Sequence, residues 1–427
     1  MFIRLKDAAK IGLFAGKAFP LAFLFLSLVS QSDIFRRFLP ACQIVFVLLP
    51  LKQDKKDTFM ETTRLQSLDA LRGFDMFFIM GGAGLLAALA TWFPCGFTEE
   101  LARQMDHVEW NGLAHHDTIF PLFLFIAGIS FPFSLEKQRT AGRTAWQIHR
   151  KVLMRGFVLF LLGVAYNGLL STWDFAEARY ASVLARIGFA WMFAALFFIH
   201  CGWRTRSCIT ATLLIGYWLL VRFVPAPDAA GEGVYTAQGS IVGYVDRLLL
   251  PGRIYYGNLD PEGLLSLVPA IGTALLGMFT GEWVKLRRPG LTPSKKAVWM
   301  VAAGIVLLAA GLLWSLEFPI NKKLWTSSFV LVVGAYSLLL FALFYYLIDV
   351  RGWRRWTLFF TVIGLNSITI YLAQKFIDFH YTADRFFGGL LHLLPEDERS
   401  FFSSAAYITV CWLFLYLLYR NRLFLKV

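Results

Sequence analysis

Runs of about 20 apolar residues recur along this chain, and such a run can hide its backbone in hydrocarbon only as a helix, which satisfies every N–H and C=O within the segment. Ten are read, at roughly 74–93, 118–134, 152–171, 181–200, 208–224, 263–284, 297–316, 325–348, 357–378 and 403–419. No alternating strand-and-turn pattern of barrel type competes with them. The expected fold is an all-α integral membrane protein, a bundle of about ten or eleven transmembrane helices with short loops. A mean hydropathy of +0.58, with 57% hydrophobic residues, excludes an ordinary soluble domain.

A net charge of +13 would fit a nucleic-acid binder, but the basic residues are segregated by loop. The loops that fall on one side of the spans hold 24 Lys and Arg, the intervening loops only 8. That asymmetry is the positive-inside pattern, so the partner it implies is a bilayer and no nucleic acid is expected. The basic side is read as cytoplasmic, which puts the 94–117 loop on the opposite side and the segment SLDALRG on the cytoplasmic one.

Residues 1–59 are ambiguous, with apolar runs at 11–30 and 38–51 that fit a hairpin, a single anchor or a signal-like segment. Residues 60–427 are read as one transmembrane domain. Five cysteines, Cys42, Cys95, Cys201, Cys208 and Cys411, show neither metal-type spacing nor a disulfide framework. A second long outward loop, 225–262, is rich in Gly, Pro, Tyr and Asp. It is read as irregular, either a substrate platform or a plain connection.

Polar residues crowd one stretch, Arg64 to Leu135, which contains RLQSLDALRGFD and then HVEWNGLAHHDTIF. Ionisable groups at the edge of hydrocarbon cost about 2.5–3.5 kcal/mol each, so each is a functional candidate. His107 is the sharpest, since an imidazole can take a proton from an attacking amine and return it to a leaving group. Asp106, Glu109 and Asp117 are placed to orient its ring, and Asn111 to donate to a developing oxyanion. The alternatives are a solvated loop histidine and, for Asp117, an N-cap of the second span. His115 and His116 point about 100° apart on a helix, so a shared metal is not expected.

Asp69 and Arg72 stand three apart, as an ion pair on one helical face. It is either a salt bridge at headgroup level, with Asp75 also crowding the entry to the first span, or Arg72 joins Arg64 and the basic loop 137–155 in a cytoplasmic anion site. Asn167, Arg186, Glu282, Asn366, Gln374 and Lys375 lie inside spans and must face protein or water. Arg186 is read as neutralising phosphate in a central cavity or pairing with Asp174 or Glu177. Asn366 joins helices by hydrogen bonds or, with Asp69, Arg72 and Arg186, belongs to the donor-binding set.

The blocks RLQSLDALRGFD, HVEWNGLAHHDTIFPLFLFIAGIS, LARIGFAWMFAAL, YVDRLLLPGR, DPEGLLS, INKKLWTSSFVL and GLNSITIYL occur in that order. Together, over residues 64–427, they resemble the heparan-alpha-glucosaminide N-acetyltransferase family. The resemblance implies a bacterial-type transmembrane acyltransferase in an inner membrane, with the His107 loop facing the periplasm. It implies acetyl-CoA as cytosolic donor, an amino sugar or glycan as acceptor, no metal cofactor and a possible homodimer. His107 stands at the family's catalytic histidine in the HxxWNG block, and Trp110, Asn111, Gly112 and Asp117 match that block. Where the family's lysosomal enzyme carries Asn in the first span, this chain has Ala83. The oxyanion role then passes to Asn111 or a backbone donor. The rival reading is a transporter or channel for a sugar or an anion, which paired broken helices in inverted repeats would favour; none is found in the sequence.

Overall fold

A computed structural model describes residues 65–169 and 173–425, with the backbone of Lys52–Gln53. The ambiguous N-terminal runs, Cys42 and Arg64 lie outside the described residues. Fourteen helices are numbered here. The first is α1, Gln66–Trp92, followed by α2 (Gly96–Arg103), α3 (His115–Thr140), α4 (Ala145–Tyr166) and α5 (Val183–His200). Next come α6 (Trp203–Phe223), α7 (Ile241–Leu249), α8 (Leu267–Lys285), α9 (Pro293–Trp314) and α10 (Ser327–Val350). The chain ends with α11 (Thr357–Leu365), α12 (Ser367–Phe376), α13 (Phe379–Leu391) and α14 (Glu396–Arg420). A two-residue pairing of Lys52–Gln53 with Leu423–Phe424 is the one sheet among the described residues.

Eight of these helices are long and apolar enough to cross a membrane, and the pair α11 and α12, bent by 68°, is a ninth when taken as one span. The tenth expected span, 152–171, corresponds to α4. It fails because His149, Arg150, Lys151 and Arg155 occupy its first half and the helix stops at Tyr166, leaving an apolar remainder of about 16 Å. The all-α membrane bundle therefore stands, with one member shorter than expected.

Glycine decides which helices touch. In α8, Gly277 and Gly281 face α3, where a Cβ would come within 2.1 Å of the Phe125 carbonyl oxygen and 2.3 Å of the Ile129 carbonyl oxygen. Backbones packed this closely gain dispersion and Cα–H contacts, which drive association where lipid removes the hydrophobic incentive. Gly73 of α1 and Gly364 of α11 meet in the same way. Consequently α3 and α8 are the most buried spans, with 72% and 67% of their apolar windows inside the bundle, while α9 at 22% lies on the outside.

Contacts at the helix ends define two faces. On the basic one, Ser67 N–H donates to Asp349, Arg206 pairs with Glu282 at 2.9 Å, and Lys285 pairs with Glu136 at 3.0 Å. On the other, Arg222 pairs with Glu317 and Arg179 with Asp260 and Glu262. Several polar groups inside spans thus have structural partners. Glu282 has Arg206, Asn167 donates to the carbonyls of Arg179 and Ala181, and Gln374 donates to the Tyr407 hydroxyl. The loop 225–262 is ordered by carboxylates: Asp246 accepts from the backbone N–H of Asp260 and Leu264, and Asp260 from those of Tyr255 and Glu262.

Candidate active site

The segment 104–114 is pinned over the start of α3 by backbone bonds. Gly112 N–H donates to the Ile320 carbonyl at 2.8 Å, and His116 N–H to the Gln104 carbonyl at 3.0 Å. Gly112 has φ +125, a left-handed turn that glycine adopts without strain and that brings the loop against the 317–326 connection. Trp110 anchors the far edge by donating its indole N–H to the Tyr235 carbonyl at 2.8 Å.

Within that frame, His107 Nδ1 lies 2.7 Å from Asp117 Oδ1. A carboxylate only accepts, so Nδ1 carries the proton and the Nε2 lone pair is left as the base. The imidazole side chain is 55% exposed and the carboxylate 3%, the arrangement of a reachable base on a fixed partner. Asp117 is the third residue of α3 rather than its N-cap, which is Ala114, and its carboxylate serves both the histidine and the helix start. Its Oδ1 holds His107, while its Oδ2 accepts from the backbone N–H of Val108 and of Ala114, capping the loop and the first turn of α3. Asn111 accepts from Asn321 Nδ2 through Oδ1 at 3.1 Å, so its amide nitrogen is what remains to donate to an oxyanion. His115 turns away to pack on Phe78, with ring centroids 4.5 Å apart, and His116 lies edge-on to His107 at 4.6 Å. Among the described residues no group of three or more candidate ligands could hold a metal ion.

Lys322 completes the cluster. Its Nζ stands 3.3 Å from Asp117 Oδ1 and 3.2 Å from His107 Nδ1, and burial pushes its ammonium below the ordinary lysine value. The neighbouring Lys323 donates to the Glu109 carbonyl and covers the rings of Tyr256 and Trp110 at 4.6 and 5.6 Å. Sequence reasoning quoted this segment as a block but singled out neither lysine. The signal available was two adjacent lysines in a loop set otherwise depleted of positive charge.

A cavity of about 390 Å³ runs through the bundle beneath this cluster. Arg72, Arg155 and Ser130 line its basic end, with Phe424 and Leu425 of the tail; Phe120, Leu184 and Tyr371 line it further up. Arg72 pairs with Asp69 at 3.5 Å and donates to Ser130, so the expected ion pair is present and its guanidinium faces the cavity. Arg155, included in the sequence reading only as the end of the basic loop 137–155, lies over the Trp191 ring at 4.2 Å with a buried Nε that no group accepts from. Phe120, which lines the cavity, is three residues beyond Asp117, about one turn further along α3.

Arg186 stands apart from Asp69 and Arg72, and Asn366 is flanked by residues that line the same cavity as Arg72. Arg186 is in the first turn of α5 on the His107 face, where it donates to the Ser266 hydroxyl and the Gly263 carbonyl and lies over Trp325 at 4.9 Å; neither Asp174 nor Glu177 is its partner. Asn366 marks the break between α11 and α12, with φ −121 and ψ 29, and its side chain accepts from Thr369 at 3.4 Å. Gly364, Leu365, Ser367 and Ile368 line the cavity there, and Asn366 does not. Ala83 follows a π turn at Phe78–Gly82 and also stands off the cavity, whose α1 residues are Arg72, Met76 and Ile79.

The family model described as "Heparan-alpha-glucosaminide N-acetyltransferase, catalytic" matches residues 64–314. Two relatives carry the name heparan-alpha-glucosaminide N-acetyltransferase. The one from Homo sapiens is 26% identical over 422 residues, covering 85% of this chain and 60% of the relative. The one from Mus musculus is 26% identical over 435 residues, covering 88% and 63%. This chain thus spans about three fifths of the length of the curated relatives it matches. The matched segment contains His107, Asn111, Asp117 and both cavity arginines, and on that match the chain belongs to the heparan-alpha-glucosaminide N-acetyltransferase family.

Proposed function

We propose that this membrane protein is an N-acetyltransferase that takes acetyl from acetyl-CoA on its basic, cytoplasmic face and delivers it to the amine of an amino sugar or glycan on the His107 face. The observation that carries the reading is the His107–Asp117 pair at 2.7 Å, on the helix that also contributes Phe120 to a cavity whose other end holds two arginines. In the transfer, the acceptor amine gives a proton to Nε2 as its nitrogen attacks the thioester carbonyl. The C–S bond then breaks, and the thiolate leaves with the proton that the imidazolium gives back, which forms the thiol and restores the neutral imidazole. Asn111 Nδ2 is the side-chain donor we assign to the oxyanion. The charge asymmetry of the loops supports the basic face as cytoplasmic.

Arg72 and Arg155 are the residues we assign to the anionic part of the donor. Arg155→Ala is expected to raise the KM for acetyl-CoA about 10- to 100-fold, the value of one or two charge-assisted hydrogen bonds, with kcat little changed. Initial-rate kinetics on purified protein with glucosamine as acceptor read this directly. The same protein should gain thermal stability with CoA, because a ligand bound only by the folded state raises the Tm. Stabilisation by free sugar but not by CoA, with no N-acetylglucosamine formed, would instead favour a transporter.

A further inference from the structure

Resting on that reading of His107 as the base, we infer that Lys322 is a positioning residue that holds the imidazole neutral. The ring nitrogen Nδ1 faces two groups at once, the carboxylate of Asp117 at 2.7 Å and the ammonium of Lys322 at 3.2 Å. The ammonium also touches the same carboxylate oxygen, Oδ1, at 3.3 Å. A buried carboxylate alone favours a second proton on the imidazole, because an adjacent anion stabilises the cation. A base that is already protonated cannot accept the proton of an attacking amine. Lys322 opposes this by neutralising Asp117 and by placing a positive charge beside the nitrogen, while the Nδ1–H bond to Asp117 keeps the ring in the productive tautomer.

The neighbours of Lys322 are consistent with this role. Besides Asp117 and His107, the groups that act on it or feel it are His116 of α3, Glu262 ahead of α8 and Arg186 of α5. Glu262 is already paired with Arg179, so Asp117 is the carboxylate in contact with the ammonium. The Lys322 side chain is only 18% exposed, so water screens these charges little and their effect on each other is large. The residue lies on the connection between α9 and α10, far in sequence from the His–Asp block whose charges it meets.

The test compares the pH dependence of acetyl transfer in the wild type, Lys322→Met and Lys322→Arg. The methionine variant should move the acid limb of the rate profile upward by about one pH unit, which is about tenfold slower transfer at its acid end. Arginine, which keeps the charge, should return the limb toward the wild-type position. A second readout does not depend on turnover: diethyl pyrocarbonate modifies unprotonated imidazole, and peptide mass spectrometry follows His107 alone. Labelling of His107 in Lys322→Met should be several-fold slower than wild type at pH 6 and equal to it at pH 8.5. If methionine prevents folding, Lys322→Gln carries the same expectation. An acid limb and a labelling profile unchanged in the uncharged variants overturn the inference. A wild type that forms no acetylated product overturns the transferase reading instead, and the labelling still decides the role of Lys322.

Discussion

His107→Ala should lower kcat for acetyl transfer by about three orders of magnitude, the upper range for loss of one general base, without changing the amount or melting temperature of the protein. The stability half of that expectation follows from exposure. The imidazole is more than half in solvent, with its Nδ1 on Asp117 and the Lys322 ammonium beside it, so its removal opens no buried cavity. Asp117→Asn is the informative companion. Asparagine can still accept through one oxygen, but its amide can present an N–H to Nδ1 and so favour the tautomer with the proton on Nε2. Substitutions of that kind cost about 10⁴-fold where a His–Asp pair does the chemistry. Because Asp117 also caps Val108 and Ala114, this variant should lose some stability as well, whereas His107→Ala should not. Measuring kcat and Tm on both variants separates the catalytic from the capping role of the carboxylate. Transfer by His107→Ala at the wild-type rate would remove the histidine from the mechanism.

The second large effect is on folding. Gly277→Val should cost about 3 kcal/mol or more, because its Cβ would overlap the Phe125 carbonyl, which belongs to the backbone of α3 and cannot turn aside. The two helices would have to separate, and α3 carries Asp117 in its first turn and Phe120 and Ser130 along the cavity. Against a total stability of about 5–15 kcal/mol, a loss of this size removes between about a fifth and more than half of it and raises the unfolded, aggregation-prone fraction by about two orders of magnitude. Gly216→Val is the control, since nothing lies within 4 Å of a Cβ built at that position in α6. The fraction of monodisperse protein after detergent extraction should fall sharply in the first variant and hold in the second. Equal recovery of both would show that the close approach of α3 and α8 is dispensable.

Most of the helices are legible in the sequence because a membrane span needs a fixed length of apolar residues, and that requirement overrides finer propensities. Where charge interrupts the run, as at Arg155, the expected boundary shifts. The pairing of His107 with Asp117 is legible as a candidate because the two are only ten residues apart and the second opens a helix. Lys322 is 215 residues from His107, and no local pattern connects them. Arg155 hides in the opposite way, as one of several basic residues at a helix entrance, and only the fold turns it toward a cavity. Arg186 shows how charge can mislead. The alternation of spans already places residue 186 within a turn of the outward loop, yet a lone intramembrane arginine invites a phosphate, and the structure gives it Ser266, Gly263 and the Trp325 ring. Asn366 breaks a helix, a role that depends on its neighbours more than on its own type.

The central claim is that donor and acceptor meet from opposite faces of the bundle, and sealed vesicles test it most directly. In inside-out vesicles, acetyl-CoA is added outside and a glucosamine-terminated acceptor is trapped in the lumen. The account predicts acetylated acceptor inside the vesicles, with none formed when the same acceptor is supplied only outside. Product that appears only when acetyl-CoA and acceptor share one compartment would contradict it.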